Sequence, residues 1–138
     1  MTSTSPIDPL LQIALAPWVQ LEQLQQLERS PQHIHLALSL APLLLQHPEH
    51  YAHSLHALAG SAMSCLVEGA LQPGFTQRNV ALHASLIHPE PSQRVVLHAR
   101  LSRQGRSVSF AEASLYNEDN IVIAHYQGTY ALLNAAQA

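Results

Sequence analysis

Apolar positions along the chain change period twice, and each change marks a new element. Trp18, Leu21, Leu24 and Leu27 recur every third residue, the spacing of a single stripe on a helix. Most positions off this stripe are Gln and Glu. Residues 6–28 are therefore expected to be helical, interrupted or restarted at Pro17, with Asp8 as N-cap and Pro9 at the first helical position. The period then becomes two. In "HIHLALSLA", Ile34, Leu36, Leu38 and Leu40 alternate with His33, His35, Ala37 and Ser39, which predicts a strand with one buried face. The segment "APLLLQHPEHY" carries Pro42 and Pro48 and reads as a connection. Helical spacing returns over residues 51–70, where Leu55, Leu58, Ala59, Ala62, Met63 and Leu66 form a broad apolar face. Ala57, Gly60, Ser61 and Ser64 are small, so this helix is expected to be enclosed on several sides. "QPGF" ends it.

Four strands are expected after that helix, at residues 79–89, 94–102, 107–116 and 121–133. "RQGR" and "NEDN" between the last three are tight-turn sequences, so these strands form an antiparallel meander. The order helix, strand, helix, four strands predicts an α+β domain whose sheet packs on the long helix. There is no internal repeat or linker, and 138 residues suit one domain. Residues 1–138 are read as that domain, with 1–30 an N-terminal helical segment and 31–133 the core.

Charge narrows the function classes. The net charge is −3, and all six basic residues are Arg. A nucleic-acid binder would carry a basic patch, so none is expected as a partner. The single cysteine, Cys65, excludes an intrachain disulfide, fits a reducing compartment and reads as a small buried residue. The first Arg is Arg29, so no positive segment precedes the first apolar run. No apolar run reaches the ~18 residues of a membrane span. A soluble, cytoplasmic protein without a membrane partner is expected.

The element order and several motifs resemble the hotdog fold, in which a curved antiparallel sheet wraps a central helix. The nearest branch resembles the phenylacetate-degradation (PaaI-like) acyl-CoA thioesterases. The helix segment "LAGSAMS" (58–64) is similar to that family's "LADTAMG". The stretch "RLSRQGRSVSFAEASLYNEDNIVIAHYQGTYALL" is similar to its "GR" turn, acidic turn and "GTY" strand, with Gly105, Arg106, Glu112, Asp119, Ala124, Gly128, Thr129 and Tyr130 in place. The resemblance covers residues 31–133. It implies a hotdog domain, thioester hydrolysis on acyl-CoA, no cofactor beyond the coenzyme A of the substrate, and a homodimer or homotetramer with sites between subunits. It also exposes two departures. The family's helix carboxylate falls at Gly60, and its His-Gly-Gly start falls at Tyr51, Ala52 and His53. A second reading therefore stands beside the enzyme: a non-catalytic hotdog domain that binds an acyl thioester or serves assembly.

The candidate catalytic set is His56, His53, Gly60 and Ser61. His47, His50, His53 and His56 recur at every third position. Two of them flank Pro48 and Glu49 in the expected connection, and no HExxH or cysteine pattern is present, so no metal site is expected. On a helix, positions 53, 56, 57, 60 and 64 share one side. A neutral His near the vacated acid position is a competent general base; a purely structural role at the loop or an interface is the other reading. The backbone amides of Ala52, His53 and Ser54 are expected to form an oxyanion site at the helix N-terminus. Arg100, Arg103 and Arg106, with Arg94 at the start of the same strand, are the candidate contacts for coenzyme A phosphates. The alternative for this cluster is a solvated hairpin tip. Glu112 is expected to be structural and Glu68 to meet solvent.

Overall fold

The structure, a computed structural model, describes residues 23–135 together with Leu15, Pro17, Val19 and Gln20. Among the described residues, six strands and one long helix make up the domain. They are β1 (Gln25–Arg29), β2 (His33–Ser39), α1 (Pro48–Gly69), β3 (Phe75–Leu86), β4 (Arg94–Gln104), β5 (Val108–Tyr116) and β6 (Val122–Asn134), with a 3-10 turn at Pro42–Gln46 before α1. The strands form one antiparallel sheet in the order β1-β2-β4-β5-β6-β3. This is the hotdog fold: the sheet packs its inner face on α1.

The alternation seen in the sequence chooses the inner face. Ile34, Leu36 and Leu38 of β2 lie opposite Ala99, Leu97 and Val95 of β4, and all six are buried. Leu55, Leu58, Ala59, Ala62, Met63 and Leu66 of α1 are fully buried in the same core. Each such Leu contributes about 1.5–3 kcal/mol by leaving water. Gly128 on β6 admits a close approach: a Cβ there would lie 2.9 Å from the Tyr130 ring. Gly105 turns the β4–β5 hairpin, donating its N–H to the Val108 carbonyl at 2.8 Å, and a Cβ would strike that oxygen. The "NEDN" turn is tied by Asn117, whose Oδ1 accepts the amides of Asp119 and Ile121, and Asn120 takes the left-handed conformation at φ 61°.

Two expectations are corrected. First, residues 25–28 are not helical. Gln25–Arg29 is a strand paired with β2, so the sheet begins inside the segment read as helix. Leu24 is buried while Leu27 is 44% exposed, so the three-residue stripe does not persist. Trp18, Leu21 and residues 1–14 lie outside the described residues. Second, α1 starts at Pro48, inside the segment read as a connection. A proline at the first helical position gives up no hydrogen bond, so Pro48 opens the helix. The strand after the helix, β3, pairs with β6 at the far edge of the sheet, while β4, β5 and β6 form the expected meander.

Candidate active site

Along α1 the burial divides the helix lengthwise. His53 is exposed, and His56, Ala57, Gly60, Ser61 and Ser64 are half-buried, on the side the helical spacing groups together. Nothing lies within 4 Å of the place a Gly60 side chain would occupy. The space at Gly60 is therefore open, and no side chain among the described residues fills it.

His56 is the anchored member of the set. Its Nδ1 lies 2.7 Å from the hydroxyl oxygen of Tyr126 on β6. The two rings meet edge to face, with centroids 5.3 Å apart. Burial lowers the His56 pKa, and His53 lowers it further. The His53 ring centroid is 6.4 Å away. Tyr126 is fully buried; that burial, with Tyr51 adding to it, pushes the phenol pKa far up. Tyr130, also buried, is pushed up to about 12. Ser61 sits beside Gly60 and makes no side-chain hydrogen bond among the described residues. Further along, Ser64 Oγ accepts a hydrogen bond from Gln77 at 2.8 Å, and exposed Glu68 accepts from the same amide at 3.3 Å. Leu82 and Ala84 of β3 lie opposite Gly128 and Tyr126. They therefore share the inner face of the sheet, yet Leu82 is exposed.

The expected oxyanion site is not where the sequence placed it. Because α1 begins at Pro48, the Tyr51 amide already bonds the His47 carbonyl at 2.9 Å. The amides of Ala52, His53 and Ser54 therefore lie inside the helical ladder, not in the unpaired first turn. Ser54 is fully buried, and its hydroxyl donates to the Tyr51 carbonyl at 2.6 Å.

The arginines separate into held and free. Arg94 donates to the Gln23 carbonyl, Ser39 Oγ and Gln25 Oε1. Arg100, expected at the phosphates, is instead committed to Glu112: its Nη2 and Nε lie 2.6 and 2.8 Å from one carboxylate oxygen. The register places the two directly opposite across β4 and β5. This gives Glu112 the structural role expected of it and takes Arg100 from the phosphate set. Arg103 and Arg106 are exposed at the hairpin and form no ion pair among the described residues. Arg106 lines a cleft of about 630 Å³ with Leu71, Phe75, Gln104 and Leu132.

Of the remaining histidines in the ladder, His50 is in the first turn of α1 and His47 stands at its N-cap position without a side-chain capping bond, with ring centroids 5.9 Å apart. Among the described residues no group of three or more His, Cys, Asp or Glu could hold a metal ion. No helix there is long and apolar enough to cross a membrane. Sequence reasoning missed Tyr126. The alternation of Ala124, Tyr126, Gly128 and Tyr130 in "AHYQGTY" places it inward, but nothing local pairs it with a residue 70 positions earlier.

Comparison with known proteins agrees with this architecture. The family profile described as the acyl-CoA thioesterase N-terminal domain matches residues 46–131. A thioesterase family protein from Silicibacter pomeroyi superposes with a TM-score of 0.70 at 16% identity, covering 92% of this chain and 90% of that one. A thioesterase from Haemophilus influenzae gives 0.67 at 17%, over 90% and 82% of the two chains. A Bacillus halodurans protein crystallised with CoA gives 0.62 at 20%, over 72% and 66%. At these identities the likeness is one of fold. No curated protein sequence matches the chain.

Proposed function

The chain belongs to the acyl-CoA thioesterase N-terminal domain family, and from that premise we propose that it hydrolyses acyl-CoA thioesters on the open side of α1. The observation that carries this reading is the unfilled space at Gly60, with His56 one turn and His53 two turns before it on the same side. A carboxylate is absent there, so a histidine takes the proton. His53 is the exposed imidazole of the pair, free to reach a water. As the water oxygen adds to the thioester carbonyl carbon, His53 accepts its proton. The tetrahedral intermediate collapses, the C–S bond breaks, and His53 returns the proton to the departing thiolate. The products are the free acid and the thiol of coenzyme A.

Of the three arginines expected at the phosphates of the substrate, Arg103 and Arg106 are the two that form no ion pair among the described residues. The motif order in "RLSRQGRSVSFAEASLYNEDNIVIAHYQGTYALL" supports the phenylacetate-degradation branch. The single cysteine supports a reducing, cytoplasmic compartment. Assembly is supported by β3, a twelve-residue edge strand exposed over most of its length, with Val80, Leu82 and Leu86 uncovered. Long apolar edges are pairing sites. A second copy laid along β3 makes a homodimer, or through further contacts a homotetramer; light scattering showing a stable monomer would remove this part.

The test is release of free thiol from a panel of short-chain, long-chain and aromatic acyl-CoAs. We expect turnover of at least one class, and a roughly 10²–10⁴-fold loss in His53→Ala, the range for a lost general base. If no thioester is cleaved but acyl-CoA binds, the non-catalytic domain is the correct reading. The missing carboxylate at Gly60 is the observation that favours it.

A further inference from the structure

The helix amides that were expected to hold the developing oxyanion are spent within α1, so thioester hydrolysis here needs another donor. The Tyr126 hydroxyl points to one. It is fully buried, and its hydrogen-bond partner among the described residues is Nδ1 of His56, at 2.7 Å. A phenol held in its neutral form by burial always carries its proton. Leaving that buried O–H without an acceptor is costly, so it donates to Nδ1. A neutral imidazole has one donor nitrogen and one acceptor nitrogen. Burial and His53 both favour the neutral ring. With Nδ1 accepting, the ring proton sits on Nε2.

We propose that Tyr126 is a positioning residue that fixes His56 as the Nε2–H tautomer, making His56 a hydrogen-bond donor to the thioester carbonyl and not its general base. The two histidines then divide the work. His53, exposed and 6.4 Å from His56 between ring centroids, moves the proton. His56 transfers none; its Nε2–H bond to the carbonyl oxygen strengthens as negative charge builds there. The role given to His56 rests on the thioesterase reading, whereas its tautomer does not.

The first measurement is therefore independent of activity. Long-range proton–nitrogen NMR of the wild-type imidazoles, above the His56 titration, should show Nδ1 unprotonated and Nε2 protonated. A protonated Nδ1 would overturn the proposal, since Tyr126 would then be the acceptor. In Tyr126→Phe the tautomer preference should weaken, and kcat should fall with KM little changed. Should that variant not fold, two substitutions at His56 decide the matter. Gln keeps an N–H donor but cannot act as a base, and Leu keeps neither. His56→Leu should lose about 10²–10³-fold in kcat, as for a lost oxyanion donor, and His56→Gln clearly less. Equal losses in the two would overturn the donor role. If no thioester is cleaved by the wild type, the hydrolase reading fails, while the NMR result still stands or falls on its own.

Discussion

One side of α1 carries Leu55, Leu58, Ala59, Ala62 and Met63 and is sealed in the core. The other side carries His53, His56, Gly60, Ser61 and Ser64 and stays partly open. Backbone and helix are shared, so the difference lies in what each side chain asks of its surroundings. Apolar groups gain by leaving water, whereas a buried imidazole needs a hydrogen-bond partner. Only His56 goes deep enough to need one, and Tyr126 supplies it. The contrast teaches where chemistry can reside in this fold: on the side where packing is incomplete and polar residues such as His56 and Ser64 are nonetheless held in place.

The largest effect should come from the sealed side. Leu58→Ala removes a fully buried side chain and should lower unfolding stability by about 2–5 kcal/mol, read from urea transitions. A loss under about 1 kcal/mol would mean that the two sides are not as different as their burial indicates.

The arginines repeat the contrast between held and free. The double change Arg103→Ala, Arg106→Ala should weaken coenzyme A binding by about 1.5–3 kcal/mol, as for lost hydrogen bonds to a charged group. Stability should change by no more than about 0.5 kcal/mol at each exposed position. Arg100→Ala should do the reverse, because it breaks the pair with Glu112 and leaves the free cations untouched. Calorimetry with coenzyme A and a urea series separate the two outcomes.

A smaller effect is expected at Gly60. Open space surrounds it, so Gly60→Ala should gain helix propensity, stabilising by roughly 1 kcal/mol, while turnover falls if the acyl group uses that space. Destabilisation would show that a neighbouring group, such as a partner subunit, already occupies it.

The smallest effect is a pH slope. His56 and His35 both have pKa values lowered from 6.5 in the folded chain. Burial is the main cause in each, with His53 adding at His56; at His35, His98 adds and Glu28 opposes. The unfolded chain therefore takes up these protons first, so stability is fully present above 6.5 and declines as pH falls below it. His56→Gln should flatten that decline in urea midpoints measured on either side of 6.5; an unchanged slope would remove His56 from the titration.

What could be read in the sequence follows from where each signal resides. β2 was legible because Ile34, Leu36 and Leu38 alternate and are buried, although Ala37 and Ser39 on the opposite face are buried too, where one buried face was expected. The β4–β5 and β5–β6 hairpins were legible because Gly105 and Asn120 carry their own turn geometry. β1 was not, because Leu24 and Leu27 happen to fall at helical spacing, and the strand is held by pairing with β2, not by its own pattern. The start of α1 was missed because proline both ends and opens helices. Among the candidate site residues, His53, His56 and Gly60 share a side, as their spacing required. The commitment of Arg100 to Glu112 and of His56 to Tyr126 depends on strand register and sheet order, which no local window contains.

The most direct test is the structure of the protein with an acyl-CoA analogue in which a methylene group separates the carbonyl from sulfur, so that it binds without being cleaved. The account predicts the carbonyl carbon beside Gly60, its oxygen within hydrogen-bonding reach of His56 Nε2, and His53 facing the carbon from the open side. A carbonyl bound away from α1, or an open side filled by a second copy with no room for ligand, would contradict it.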